Sequence, residues 1–275
     1  MTMTLDVVSV ITPCYNGRRF IPRLIESVRQ QNFSVEHVIV DDCSTDGSYE
    51  ILLEFSRKYS WVKAIRLDKN CGPILARNRA ISLATGRFLA FLDVDDLWMP
   101  EKLSIQIDFM YKKACAMSFS DYRFINESGN LVGRRISGFN RVGWHLHHMS
   151  RYLGCLTVIV DRGKIPNFYI PDISPSYRAE DFLAWSACIR LAGPFLRCPH
   201  DLARYALVGN SRSSNAFKAA SSVWLLYRNV EKISFFISLF YFSFYVIGVL
   251  WKRFWYRPIY KRDVVDKNFG WSMLK

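Results

Sequence analysis

The sequence predicts an α/β fold built on a mainly parallel sheet, and three observations carry that prediction. Short apolar or β-branched runs alternate with helically spaced segments through the first 116 residues, which is the pattern of strand–helix–strand crossovers. Those runs are nearly free of charge, as strands covered on both faces must be. Each run also stops at a cluster of Asp, Asn, Gly, Ser, Thr or Pro. Open α/β sheets bind ligands beyond the carboxyl ends of their strands, where such clusters fall.

The elements come in order along the chain. Residues 7–11 are a β-branched strand, ended by Thr12-Pro13-Cys14-Tyr15-Asn16-Gly17. Residues 20–31 have helical spacing, with Phe20, Leu24 and Val28 on one face. A second strand, 37–40, closes on Asp41-Asp42-Cys43-Ser44-Thr45-Asp46-Gly47. A helix over 49–59, a strand over 62–66, a turn at Asn70-Cys71-Gly72-Pro73 and a helix over 74–84 come next. The apolar run 88–92 then enters three carboxylates, Asp93, Asp95 and Asp96, before a helix that starts near Pro100. From Met117 to about Val208 the pattern loosens into shorter strands and loops, apart from one helix over 180–192. There is no internal repeat and no Gly/Ser linker, so residues 1–231 are expected to form one domain and 232–275 a tail.

Composition bounds the function. The chain has 275 residues, half of them hydrophobic, and a net charge of +13, so it supports a full core and is not disordered. Its seven cysteines are scattered, without a Cys-x-x-Cys pair, which fits buried thiols in a reducing compartment. The first residues lack a basic stretch followed by an apolar one, so no signal peptide is expected.

The tail is distinctive. Residues 233–251 carry no charge and are rich in Phe, Tyr, Ile, Leu, Val and Trp, and Lys252, Arg253, Arg257, Lys261 and Arg262 come after them. That length can cross a bilayer. However, the basic cluster favours a cytoplasmic position for the chain beyond it, and a span would put residues 1–231 outside. A helix lying in the membrane interface satisfies both constraints, with a buried core helix as the alternative. The tail's aromatics form a block rather than alternating with its charges, and no nucleic-acid motif is present, so the expected anionic partner is a membrane surface and not nucleic acid.

The acidic strand end has two readings on its residues alone. Carboxylates at the end of a buried strand are costly unless a cation offsets them, which suggests a divalent-metal site for a phosphate-bearing ligand. Alternatively, Asp95 or Asp96 caps the next helix. Neither a Walker loop nor Gly-x-Gly-x-x-Gly occurs, so no phosphate-cradling loop competes for the role.

Four segments in order, Val8-Ser9-Val10-Ile11-Thr12-Pro13-Cys14-Tyr15-Asn16, Val40-Asp41-Asp42-Cys43-Ser44-Thr45-Asp46-Gly47-Ser48, Asn70-x-Gly72-x-x-x-Ala76-Arg77-Asn78 and Asp93-Val94-Asp95-Asp96, resemble the family 2 inverting glycosyltransferases. The resemblance covers residues 7 to about 215. It implies the GT-A fold, with a nucleotide-binding half over about 1–116 and an acceptor half over 117–231. It further implies that Pro13 and Tyr15 contact uracil, that Asp42 accepts a hydrogen bond from the base, and that Asp41 is structural. Arg77 would lie near the base or diphosphate, Asp93 on the ribose, and Asp95 on Mn²⁺ or Mg²⁺. Asp96 would support or cap. Within Glu180-Asp181, Asp181 would be the catalytic base.

Two departures refine this. The Gln-x-x-Arg-Trp segment of processive relatives is absent, which implies transfer of a single sugar. Arg204-Tyr205-Ala206 stands where many relatives have Tyr-Arg, which makes Arg204 or Arg212 a candidate phosphate contact. His145, His147 and His148 are a weaker metal candidate. The implied reaction moves glucose or galactose from a UDP-sugar to a saccharide on undecaprenyl diphosphate, at the cytoplasmic face of a bacterial inner membrane, in O-antigen or other surface-polysaccharide assembly. A nucleotidyltransferase and a non-catalytic membrane-recruitment module are the alternatives.

Overall fold

A computed structural model describes residues 6–150, 153–172, 180–209 and 216–251. The predicted alternation is present in the first half: β1 (Val8–Cys14), α1 (Ile21–Arg29), β2 (Val35–Asp41), α2 (Ser48–Lys58), β3 (Val62–Arg66), α3 (Pro73–Leu83) and β4 (Phe88–Phe91). Next come β5 (Leu97–Trp98), α4 (Lys102–Lys112), β6 (Met117–Ile125), β7 (Leu131–Ile136), β8 (Arg141–Val142), α5 (Trp144–Met149) and β9 (Val158–Asp161). The remaining described elements are α6 (Glu180–Ala192), β10 (Phe195–Ala206), α7 (Ala216–Leu225), a π turn over Leu226–Val230 and α8 (Phe235–Trp251).

All ten strands among the described residues belong to one sheet, with the path β3-β2-β1-β4-β9-β6-β10-β5 and with β7 and β8 attached to β6 and β10. β1 to β4 are mutually parallel, and β6 and β10 run the same way because the intervening β9 is antiparallel to both β4 and β6. The carboxyl ends of six strands therefore share one rim. One register row crosses the middle of the sheet through Ala90, Ile159, Ser118 and Leu196, so the nucleotide and acceptor halves expected from sequence share a continuous hydrogen-bonded ladder.

Side chains alternate faces along each strand. Val8, Val10, Ile39, Phe88, Ala90 and Leu92 pack with Leu24, Val28, Leu103 and Ile107 of α1 and α4. Ile11, Val38, Val40, Leu89 and Phe91 pack on the other side with Ala76, Ala80 and Trp185 of α3 and α6. Coverage on both faces explains the uncharged runs. β1 extends past the expected Ile11, because Thr12, Pro13 and Cys14 stay in register with Ile39, Val40 and Asp41.

The second half corrects the expectation of short strands. β6 has nine residues and β10 twelve. Their charges disguised them, and the fold neutralises those charges in pairs. Asp121 is fully buried and accepts from Arg197 and Arg135, while Asp201 pairs with Arg123 and Arg204.

At the opposite, amino-terminal rim, Glu36 stitches the first strands together. It accepts from Ser9 of β1 at 2.5 Å, from Lys63 of β3 at 2.6 Å, and from the backbone N–H groups of Thr85 and Gly86 ahead of β4. Residue 86 must be glycine, since a Cβ would lie 2.6 Å from the Val7 carbonyl. Burial raises the Glu36 pKa, but the hydrogen bonds outweigh it and hold the carboxyl at about 2. The folded value is below the unfolded one, so this stabilisation is complete above about pH 4.5 and is lost as pH falls towards 2. Glu36→Gln is expected to cost about 2–3 kcal/mol at pH 7, a fall of roughly 5 °C in melting temperature. Melts of both proteins at pH 7 and pH 3 check this: the gap should narrow at pH 3, and an unchanged gap would contradict the assignment.

Candidate active site

The four sequence segments meet at the carboxyl rim and hold one another. β1 and β2 end side by side, and the Asp42 N–H donates to the Cys14 carbonyl at 2.8 Å. Beyond them the loops interlock. The Asn16 N–H donates to Ser44 Oγ, and the Thr45 N–H donates to Asn16 Oδ1, both at 2.9 Å. The Gly17 N–H donates to Ser48 Oγ at 3.0 Å. Asn16 and Cys43 adopt left-handed backbone, with φ of 50° and 60°, which turns both loops sharply. Tyr15 leaves this junction with its ring half exposed.

Asp42 is buried and ties the third segment to the second. Its two carboxylate oxygens accept from the Cys71 N–H at 2.7 Å and the Gly72 N–H at 2.8 Å. Gly72 has φ of 86°, a conformation that suits glycine and aims its N–H at Asp42 as α3 begins. Each oxygen retains a lone pair for a ligand. Asp41 points inward: it is fully buried, accepts from the Ser44 N–H at 3.0 Å, and lies 3.7 Å from Arg66.

Arg77 and Asn78 join α3 to the rest of the rim. Arg77 is buried and donates to Asp93 Oδ1 at 2.5 Å, which leaves about a third of the Asp93 side chain exposed. Asn78 reaches the other way. Its amide donates to the Ile170 carbonyl at 2.8 Å and accepts from the Ile170 N–H at 2.9 Å.

The acidic cluster lies at the end of β4. The Asp96 N–H donates to the Asp93 carbonyl, and Asp96 Oδ1 accepts from the Ala206 N–H at 2.9 Å, clipping the end of β10 to this loop. Burial, and then the charge of Asp93, push Asp95 up to about 6. Burial, and then the charges of Asp95 and Asp93, also raise Asp96 well above the ordinary carboxylate range. Crowded carboxylates with raised pKa values lack sufficient positive charge, and a divalent cation would supply it. Among the described residues no three His, Cys, Asp or Glu side chains are grouped for a metal. A cation held by one or two carboxylates, with ligand and water oxygens completing its shell, is the arrangement Mg²⁺ usually adopts with phosphates, and the donor set fits that case.

Sequence reading missed Arg23. It lies on the buried face of α1 and donates to the Asp95 carbonyl at 3.0 Å, and its positive charge acts on both Asp95 and Asp96. A charge on the stripe otherwise made of Phe20, Leu24 and Val28 was the available signal.

Asp181 opens α6, half buried, with its Oδ1 accepting from the Phe182 N–H at 2.9 Å. Its level in the sheet follows from topology. α6 leads through Gly193 and Pro194 into β10, so it runs antiparallel to the strands and its amino terminus faces the acidic rim. Trp185, one turn further along the same face, packs on Phe91 with ring centres 5.3 Å apart, two residues before Asp93.

Other candidates settle differently. Arg204 is buried and donates to Asp201 at 2.7 Å, so its charge is answered inside the sheet. Arg212 lies outside the described residues. His145, His147 and His148 bond Tyr241, the Phe182 carbonyl and the Trp144 carbonyl respectively, so they pack helices together.

Comparison with known proteins agrees with this architecture. The family description "Glycosyl transferase family 2" matches residues 9–163. A relative described as the putative teichuronic acid biosynthesis glycosyltransferase TuaG of Bacillus subtilis is 35% identical over 254 residues, covering 92% of this chain and all of its own. The UDP-Glc:alpha-D-GlcNAc-diphosphoundecaprenol beta-1,3-glucosyltransferase WfgD of Escherichia coli is 32% identical over 79% of this chain and 84% of its own. Among solved structures, S. aureus TarS 1-349 in complex with UDP superposes with a TM-score of 0.62 at 22% identity, over 97% of this chain and 74% of that one. The mannosyltransferase PcManGT from Pyrobaculum calidifontis, in complex with GDP-Man and Mn²⁺, gives 0.63 at 12% identity, over 92% of this chain and 76% of that one. The fold is GT-A, and the chain belongs to glycosyl transferase family 2.

Proposed function

We propose that this glycosyltransferase moves one hexose, glucose in preference to galactose, from a UDP-sugar to a saccharide carried on undecaprenyl diphosphate, with inversion to a β-linkage. The observation that supports the donor reading is the interlocked rim, which brings an exposed aromatic ring, a buried Asp42, an Arg-held Asp93 and the crowded Asp95 to the carboxyl ends of neighbouring strands. Tyr15 and Pro13 would bear on uracil, Asp42 would accept from the base, Asp93 would meet the ribose, and Arg77 would hold Asp93 towards it. Asp95 would hold Mn²⁺ or Mg²⁺, which when bound stabilises negative charge on the departing diphosphate. Glucose is favoured because WfgD and WfaP of Escherichia coli, both described as acting from UDP-Glc on GlcNAc-diphosphoundecaprenol, match 79% and 66% of the chain.

Asp181 would take the proton of the acceptor hydroxyl. As the hydroxyl oxygen bonds the anomeric carbon, the bond to the diphosphate oxygen breaks on the opposite face and UDP leaves with its electron pair. The separation of roles is physical: the rim's carboxylates answer cations and donors, while Asp181 sits on a helix from the other half.

The tail reading rests on α8. This helix has 17 residues, roughly 26 Å at 1.5 Å per residue, and no described helix is long and apolar enough to cross a membrane. Its polarity is inverted relative to a soluble amphipathic helix. Ser238, Tyr241 and Tyr245 are buried against the domain, while Phe236, Phe240, Phe244, Ile247 and Trp251 form an exposed stripe. With the basic residues next in sequence, such a stripe suits the interface of an anionic bilayer, which would place the enzyme on the cytoplasmic membrane face beside its lipid-linked acceptor.

Three measurements test these points. Purified protein supplied with Mn²⁺, a GlcNAc-diphospho-lipid and either UDP-glucose or UDP-galactose is expected to release UDP, and Asp95→Asn to lower the rate at least 100-fold. No UDP release from any donor would sink the transferase reading, and unchanged function of Asp95→Asn in cells would favour the recruitment module. Asp181→Asn is expected to reduce kcat by roughly 10³-fold with UDP affinity within twofold, since a base acts on the chemical step. Equal losses in both would remove it from that role. Phe240→Ser and Phe244→Ser are each expected to weaken binding to phosphatidylglycerol-containing vesicles by roughly tenfold or more, because a buried Phe contributes about 1.5–3 kcal/mol. Unaltered sedimentation with vesicles would contradict the interfacial helix.

A further inference from the structure

Phe182 comes directly after Asp181 and is the residue whose N–H holds the Asp181 carboxylate. Its own ring and carbonyl are held from two other helical segments. The His147 ring of α5 stacks on it with centres 4.4 Å apart and planes 13° from parallel, and His147 Nε2–H donates to its carbonyl at 2.9 Å. His148 meets the same ring edge-on at 4.9 Å, and Tyr227 of the π turn lies at 5.7 Å. Tyr227 in turn donates from its hydroxyl to the His148 carbonyl at 2.5 Å.

Tyr241 of α8 closes this cluster. Its ring is 5.4 Å from that of His148 and 6.3 Å from that of Tyr227, and its hydroxyl lies 2.6 Å from His145 Nδ1. Phe182, Leu183, Val223, Leu226, Tyr227, Tyr241 and Tyr245 form one packed unit, separate from the two cores that flank the sheet. Burial pulls His148 down to about 4, so its ring is neutral at cellular pH and can pack against its apolar neighbours. The helix that exposes the apolar stripe is therefore joined to the helix that carries the proposed base by two ring contacts, Tyr241 to His148 and His148 to Phe182.

We propose that Tyr241 and His148 are positioning residues for the transfer reaction: by fixing Phe182 they fix the Asp181 carboxylate, so that the seating of α8, with lipid against its outer face, sets the alignment of the base towards the acceptor. This rests on the reading of Asp181 as the base. The energetic reason is that a ring left without its partner in a packed cluster loses both contact area and its fixed rotamer, and the first turn of a helix, which lacks part of its backbone hydrogen-bond ladder, is the segment most readily released. The donor pocket has no member in this cluster, so UDP binding should not sense it.

The test uses the full chain, vesicles that carry a GlcNAc-diphospho-lipid, and UDP-glucose with Mn²⁺. Tyr241→Ala is expected to lower kcat at least tenfold while the dissociation constant for UDP and binding to vesicles stay within twofold. Tyr241→Phe keeps the ring and loses the bond to His145, and a smaller fall of about threefold in kcat is expected. Ser243→Ala, on the exposed side of the same helix, should match the wild type. An unchanged kcat in Tyr241→Ala would overturn the proposal. So would parallel losses of kcat, UDP affinity and melting temperature, which mark a general folding defect, or a kcat loss that tracks loss of vesicle binding. If Tyr241→Ala does not fold, an unchanged kcat in Tyr241→Phe together with His148→Phe overturns it equally. Absence of transfer by the wild-type protein would instead remove the reaction itself, whereas a working wild type, an inactive Asp181→Asn and an unimpaired Tyr241→Ala would remove the coupling alone.

Discussion

A carboxylate at the end of a buried strand is stable only when something answers its charge, and at the carboxyl rim of this sheet Arg77 does so for Asp93 at 2.5 Å. Much of the site's arrangement stems from that need. Arg77 is placed by α3, α3 is placed by Gly72 and Cys71, and those two backbone N–H groups are held by Asp42 at the end of the neighbouring strand. Asp42 is fixed through the Cys14 carbonyl to the loop that presents Tyr15. Each acidic group thus positions the next element by accepting from it. Asp95 stands apart: Arg23 takes its backbone carbonyl, and its carboxyl is raised to about 6. At such a rim the structural acids are answered by donors, and the crowded acid is the one whose charge a cation would ease.

The same constraint shapes α8. Apolar all round, it has two faces that differ in what they need. Tyrosine hydroxyls require partners when buried and find one in a histidine-rich α5, whereas phenylalanine and isoleucine require only the absence of water. Docking through the tyrosine face leaves the less demanding side chains outward, an orientation that is unfavourable in water and favourable against lipid.

Much of this was legible in the residues. Strands β1, β2 and β4 were readable because their central runs, 8–11, 37–40 and 88–91, are covered on both faces and so carry no charged residue, and the turn chemistry at Thr12–Gly17 and Asp41–Gly47 marked the ends of β1 and β2. β6 and β10 were not readable, because Asp121, Arg123, Arg197 and Asp201 resemble loop residues until their cross-strand partners are known. Arg23 failed for a related reason: its partner is a backbone carbonyl 72 positions away, which no local pattern records. The three histidines suggested a metal in sequence because spacing reveals proximity along the chain, but not whether the side chains converge on one point, and among the described residues no such group forms. Asp181 is singled out by resemblance and not by chemistry, since an acidic residue at a helix start is stabilised by the helix whatever its function.

Successive residues of α3 also bring the two halves of the molecule to one point. Arg77 holds Asp93 on the donor side, while Asn78 clamps Ile170 of the acceptor half through two reciprocal hydrogen bonds. Adjacent helical positions point about 100° apart, so a single rigid turn faces both ways. Any rotation of α3 that displaced Asp93 would also pull on the chain at Ile170, which lies between β9 and α6. The acceptor side is tethered twice, by Asn78 through Ile170 and by the ring cluster through Phe182, and only the second tether leads to the surface helix. The two halves of the chain are in this way held differently: the first by hydrogen bonds within the sheet rim, the second by the Asn78 clamp and by packing that α8 completes.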